Sequence, residues 1–243
     1  MNYAEQVAIA ITTAPRPVET LVRSYCSLCD AGFLEHPKWL LSDGPIPDEL
    51  ARAGRLTLRR NDPPLGGLKN WAAALETLVQ ESNAAWLLVL EDDILWARGA
   101  AKALARDLEG LDRRCRERVG YVSLYLSRKV SREIERTRQR KPLAAGLWQT
   151  SMAGECWGSQ AYCVPRETAV ALLRDPKFDD LRRNYVKNRN RDNIVSGCLA
   201  AMGLRLYYRV PSLVNHQLGS ANSSLADKPV QRALLCDYWT GRP

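Results

Sequence analysis

Apolar positions along the chain fall into two rhythms. Unbroken runs of strand length, VAIAIT (7–12), WLLVL opening WLLVLEDD (86–93) and VGYVSLYLS (119–127), suit strands covered on both faces. Between them the spacing becomes helical. In PRPVETLVRSYCSLCDAGF, Pro17 sits near a helix start and Leu21, Tyr25 and Leu28 share a face. In GGLKNWAAALETLVQES (66–82), Leu68, Ala72, Leu75 and Val79 recur at i, i+4, i+7 and i+11. KWLLSDG (38–44) reads as a second strand ending in Asp43, and RGAAKALARDLEGL as the helix after the third. Later come QAYCVP as a strand, RETAVALLRD and RDNIVSGCLAAMG as helices, and LRLYYRVPSLVNH as the closing strand segment. Segments 127–141 and 219–224 read as loops.

Strand–helix alternation with short connections predicts an α/β fold: one Rossmann-like domain, its mostly parallel sheet flanked by helices. Ligands of such sheets bind beyond the carboxyl ends of the strands. Asp43 and the triplet Glu91, Asp92, Asp93 both stand at such ends.

With 243 residues the chain can bury a sizeable core. No apolar run reaches the roughly 18 residues of a membrane span, and the N-terminus lacks a signal peptide's pattern. The expectation is a cytoplasmic protein without stable membrane insertion. The seven cysteines are scattered, and Cys26-x-x-Cys29 lacks a second pair for zinc, so reduced thiols are expected. The net charge of +8 is local. Residues 127–141 hold seven basic and two acidic side chains, and 181–191 hold five basic and none acidic. The remainder has 23 basic and 25 acidic residues. Such segments attract polyanions or form a solvated face. Nothing in the pattern implies an obligate protein partner.

The stretch LLVLEDDILW carries the chemistry. Its buried run ends in three acids: either the triplet is a solvated strand end or a cation sits there, because buried carboxylates must be neutralised or paired. No G-x-G-x-x-G follows the first strand and no P-loop motif occurs, which argues against dinucleotide and P-loop proteins. Thr12, Thr13 and Arg16 in TTAPRP occupy that position instead. Asp43 can hydrogen-bond a ribose or base. Gly66-Gly67 opens a helix whose first turn carries Lys69 and Asn70, a setting for phosphate oxygens. A divalent ion, Mn2+ or Mg2+, would join the acids to a nucleotide diphosphate.

Together these positions resemble the GT-A glycosyltransferases, over most of the chain. Their D-x-D element, often written E-D-D after four apolar residues, is similar to Glu91-Asp92-Asp93. The resemblance implies a UDP-sugar donor, Asp93 as metal ligand, and Glu91 or Asp92 assisting through water or ribose. It implies a catalytic base at Asp192, opening a late helix, and a metal-reaching His216 near the C-terminus. The acceptor loop would be Gly154–Gln160, with Trp157, Gly158, Ser159 and Gln160 as contacts. Residues 1–95 would form the nucleotide-sugar half and 96–243 the acceptor half. Each residue also has a structural reading: Asp192 as an acid at a helix start, His216 as a core histidine. His36, the other histidine, reads as a surface residue.

The basic segments, with Arg128, Lys129, Arg189 and Arg191 as contacts, make DNA the expected acceptor. In character the chain is similar to small phage glycosyltransferases that modify hydroxymethylated pyrimidines, such as 5-hydroxymethylcytosine, of the kind found alongside TET-type dioxygenases. An extracted base would stack on Trp157, Tyr125 or Tyr185. The alternatives are a surface-glycan or protein acceptor, and a non-catalytic DNA-binding domain.

Overall fold

A computed structural model describes residues 6–15, 19–52, 55–113, 116–137, 146–150, 160–185 and 190–217, the side chains of Arg128, Lys129 and Thr137 excepted. The elements in order are β1 (Val7–Thr13), α1 (Glu19–Leu28), β2 (Lys38–Ser42), α2 (Asp48–Arg52), β3 (Thr57–Arg60), α3 (Gly67–Glu81), β4 (Trp86–Glu91), β5 (Ile94–Trp96) and α4 (Ala100–Asp112). They continue with β6 (Val119–Ser123), α5 (Arg128–Thr137), β7 (Gly146–Thr150), β8 (Ala161–Pro165), α6 (Arg166–Arg174), α7 (Pro176–Arg183), α8 (Arg191–Ala201), β9 (Arg205–Val210) and β10 (Val214–His216).

Eight strands form one sheet in the order β3-β2-β1-β4-β8-β6-β9-β7. The first four are parallel; β8 runs antiparallel to β4 and β6, and β7 antiparallel to β9. This is the mostly parallel α/β sheet expected from the sequence. The runs without polar positions are the central strands: all of β1 is buried, as are Trp86–Leu90 of β4. β3 closes one edge with the half-exposed sequence TLRR, and its arginines discourage pairing with another strand. The chain leaves β1 for β2 on one side and returns through α3 to β4 on the other, so the direction of winding changes between β1 and β4. That crevice is where a ligand is expected.

The helical faces follow the spacing: Leu21, Tyr25 and Leu28 of α1 are buried, as are Leu68, Ala72 and Leu75 of α3, with Val79 partly so. The C-terminal carbonyls of α3 are clasped by Arg166, whose guanidinium donates to Val79 O at 2.8 Å, Leu78 O at 3.3 Å and Ser82 O, while its Nε reaches Ala84 O at 2.9 Å.

Two sequence expectations need correcting, and one helix has no counterpart among them. Segment 127–141 is not simply a loop: Arg128–Thr137 forms α5, which buries Val130, Ser131 and Ile134. Two apolar residues among many charges were too few to register as a period. The segment LRLYYRVPSLVNH is two strands, broken at Pro211, which has no N–H for a ladder. α7 went unread despite its start signal; Asp175 Oδ1 accepts from Phe178 N at 2.7 Å, with Pro176 in the first turn. The segment 219–224 lies outside the described residues.

His36 is also no surface residue. α1 runs into a π-helical turn, Cys29–Phe33, kinked at Gly32, whose φ is 102°. The buried Lys38 ammonium caps this corner, donating to Phe33 O at 3.0 Å, Leu34 O at 2.6 Å and His36 O at 2.7 Å. The half-buried His36 ring packs on Phe33, with centroids 5.1 Å apart. Burial, reinforced by Lys38, pushes its pKa down to about 4. The folded state therefore binds fewer protons at this ring than the unfolded state between about pH 6.5 and 4. Stability from keeping His36 neutral is present above about pH 6.5 and is lost as pH falls through that window. The expected result is a melting temperature that drops less between pH 7 and pH 5 in His36→Gln than in the wild type. Equal drops would show that the ring's neutrality is not coupled to folding.

Candidate active site at the switch point of the sheet

At the carboxyl ends of β1, β2 and β4 lies a cavity of about 720 Å³, lined by Thr12, Thr13, Asp43, Glu91, Tyr185 and Arg191 together with Ala14, Pro15, Asn70 and the 64–67 turn. Its size suits a nucleotide-sized ligand. The turn has a builder. One Asp43 oxygen accepts from Asn61 Nδ2 at 2.8 Å and from Leu65 N at 2.9 Å; the other accepts from Gly66 N at 2.7 Å. Gly66 has φ 79°, which admits glycine without strain, and no side chain caps the start of α3. A helix start without a side-chain cap at the cavity wall suits an anion.

Several residues expected to touch the donor line the cavity and also commit hydrogen-bonding groups to its walls. Asn70 is buried; its amide donates to Thr13 O at 3.1 Å and Leu41 O at 3.2 Å while its oxygen accepts from Asn61 at 3.0 Å. Both its donors serve the ends of β1 and β2, so it is a brace for α3 rather than a phosphate ligand. Thr12 Oγ1 donates to Leu90 O at 2.9 Å, and Thr13 Oγ1 lies 2.9 Å from Ser42 Oγ. Asp43 retains capacity only on the oxygen that holds Gly66. Lys69 is half-exposed and is not part of the cavity wall. Arg16 lies outside the described residues.

The acid triplet leaves β4 at Glu91 and turns into β5, which pairs antiparallel with β10 so that His216 faces Ile94. The ladder extends one step further, Gln217 N donating to Asp93 O at 2.8 Å. This brings His216 Nδ1 to 3.6 Å from Asp93 Oδ2, the carboxylate side chain 4% exposed and the imidazole 18%. The separation is long for a hydrogen bond, yet within the about 4 Å that two ligands of one ion can span. Tyr125 packs edge-on against the imidazole at 5.4 Å and is 1% exposed, which removes it as a platform for an extracted base. Asp92 is buried beside it in the chain. Among the described residues no group of three or more His, Cys, Asp and Glu side chains is arranged to hold a metal. The donor set, one hard carboxylate and one imidazole, fits an ion completed by phosphate oxygens and water.

Glu91 is paired with Arg191, the two side chains 20% and 12% exposed. Burial would lower the Arg191 pKa, but Glu91 and Asp192 more than offset it and hold it above the ordinary range. Arg191 therefore sits in the wall of the cavity, not on an exposed acceptor face as its basic segment suggested. Asp192 follows in the first turn of α8 and is buried; the cap there is Asn190, whose Oδ1 accepts from Asp192 N at 2.9 Å. Gln160 is joined to the end of β4 through its carbonyl, which accepts from Glu91 N at 2.9 Å, and is not part of the cavity wall. Trp157, Gly158, Ser159 and Arg189 lie outside the described residues, and Arg128 and Lys129 are described only as backbone of α5. Sequence reading missed Tyr185, as a cavity residue, and the Asn61–Asp43–Asn70 brace. Both depend on contacts between segments that no local pattern reveals.

No protein-family model matches the sequence, and no curated protein matches it either. Among solved structures the chain is similar to a mannosyltransferase of Pyrobaculum calidifontis in complex with GDP-Man and Mn2+. The TM-score is 0.51 at 17% identity, over 85% of this chain and 57% of the other. The chain thus spans little more than half the length of that protein. At this identity the likeness is one of fold alone: a mixed α/β architecture with a large central sheet flanked by helices. Among the described residues no helix is long and apolar enough to cross a membrane.

Proposed function

We propose that the chain is a metal-dependent glycosyltransferase that moves a sugar from a nucleoside diphosphate to a hydroxyl group with inversion. One observation carries this reading: the approach of Asp93 and His216 to 3.6 Å across the β5–β10 ribbon, two residues beyond the cavity wall at Glu91. The mannosyltransferase, with its GDP-Man and Mn2+, supports the class of donor and ion. The imidazole favours Mn2+ over Mg2+, which prefers oxygen ligands throughout.

Asp93 and His216 would hold the ion. When bound, it supplies positive charge to the diphosphate. The chain's own residues do the rest. The α3 N-terminus binds phosphate oxygens, and Asp43 keeps the turn before it in shape. Asp192 takes the acceptor hydroxyl's proton as that oxygen bonds to the anomeric carbon; the bond to the diphosphate breaks and its electrons leave with the diphosphate. A single displacement inverts the anomeric centre.

Uridine remains the expected donor base, with guanosine the alternative that the mannosyltransferase brings forward. DNA carrying hydroxymethylated pyrimidines is our reading of the acceptor, and its support has shifted. In segment 181–191, Arg182 is paired with Glu76 and Asp179, Arg183 with Asp179, and Arg191 with Glu91. That leaves the basic excess of segment 127–141 in the sequence as the main support; of its described side chains Arg132 is exposed and Arg136 is paired with Glu133. Mass spectrometry after incubation with UDP- and GDP-sugars, Mn2+ and either hydroxymethylated duplex or free glycans tests both levels. A hexose-sized mass gain on DNA, absent in EDTA and weakening as salt rises, is expected. A gain on glycan alone would leave the transferase and remove the DNA. No gain on any acceptor and no nucleotide binding would remove the transferase.

A further inference from the structure

The cavity presents an electrostatic difficulty. Glu91 and Asp43 stand in its wall, and Asp92, Asp93 and Asp192 follow the wall residues Glu91 and Arg191 directly in the chain. A diphosphate entering such a site meets repulsion that one divalent ion does not remove entirely. Among the described lining residues Arg191 is the one cation. Its guanidinium is engaged by Glu91, and its Nη1 lies 3.5 Å from Gly67 O, at the first residue of α3. It therefore bridges the acid triplet and the helix terminus that faces the ligand.

Resting on the donor reading above, we propose that Arg191 is the diphosphate-binding cation of this site. Glu91 is then its resting counter-ion and not a ligand of the metal. A carboxylate–guanidinium pair partly buried in this way has little net stability, because partial desolvation of both charges offsets much of their attraction. The guanidinium fork matches phosphate oxygens at least as well as a carboxylate. When donor arrives, the guanidinium turns from Glu91 toward the diphosphate without leaving the cavity. Glu91 acts as a positioning residue: it holds Arg191 in the wall when the site is empty and competes with the ligand for it. Arg191 adjoins Asp192, so the same contact sets the start of α8 against the bound donor.

The test is calorimetric titration of the full chain with UDP and with GDP, in Mn2+ and in EDTA. Arg191→Gln is expected to weaken binding of the preferred nucleotide by about 10–100-fold in both media, the range for a hydrogen bond to a charged group. Arg191→Lys, which retains the charge and guards against a folding defect, should lose less. Glu91→Gln is expected to tighten binding several-fold, and that gain should vanish in the Glu91→Gln/Arg191→Gln double variant. Weakening by Glu91→Gln in Mn2+ but not in EDTA would make Glu91 a metal ligand and overturn the proposal. So would wild-type affinity in Arg191→Gln. In both cases the donor reading stands, whereas a wild-type chain that binds neither nucleotide removes both.

Discussion

Replacing Asp192 with Asn is expected to lower kcat by about 10²–10⁴-fold, the usual worth of a positioned general base, while nucleoside diphosphate affinity changes little. The substitution keeps the side chain's shape. The helix cap is also kept, because Asn190 and not Asp192 supplies it. What is lost is the negative charge at the first turn of α8, where for a buried carboxylate the helix dipole contributes up to about 2 kcal/mol of stability. The variant should therefore fold, bind donor and fail to deprotonate the acceptor. Separating kcat from KM and from directly measured nucleotide affinity checks this. A kcat near the wild-type value would return Asp192 to a structural role at the helix start.

Asp93→Asn is expected to lower Mn2+-dependent transfer by about 10²–10³-fold, since charge stabilisation by a bound ion is worth several kcal/mol and each 1.4 kcal/mol is tenfold in rate. The carboxylate side chain is 4% exposed and faces the imidazole of His216, so an amide of the same size fits the space without its charge. Two readouts separate metal loss from general damage. The Mn2+ concentration for half-maximal activity should rise, and nucleotide affinity in EDTA should match the wild type. Unchanged Mn2+ dependence would mean that the ion, if any, sits elsewhere.

The two variants probe parts of the site that were not equally legible in the sequence. The central strands were readable because burial on both faces leaves no polar interruptions, as in VAIAIT and WLLVL. The acids at 91–93 were readable because that buried run stops at a strand end. The proximity of His216 to Asp93 is a different matter. It depends on β5 and β10, three residues each, pairing in one register, and such short strands have too few positions for a period to show. Roles within the cavity were hardest. Asn70 and Asp43 have donor-binding chemistry, yet their hydrogen bonds go to Thr13, Leu41, Asn61, Leu65 and Gly66, partners up to 57 residues away. Arg191 belonged to a basic run and looked like part of an acceptor surface, because local charge counts omit the acid 100 residues earlier that pairs with it.

The proposed ion-binding pair, Asp93 and His216, can be tested without an acceptor, a sugar or turnover. Crystals of the full chain grown with Mn2+ and the tighter-binding nucleoside diphosphate, measured at a wavelength where manganese scatters anomalously, locate the ion directly. A single strong peak between the Asp93 carboxylate and His216 Nδ1, touching the diphosphate, is the expected result. Nucleotide bound in the cavity with the peak elsewhere, or with none, would contradict it.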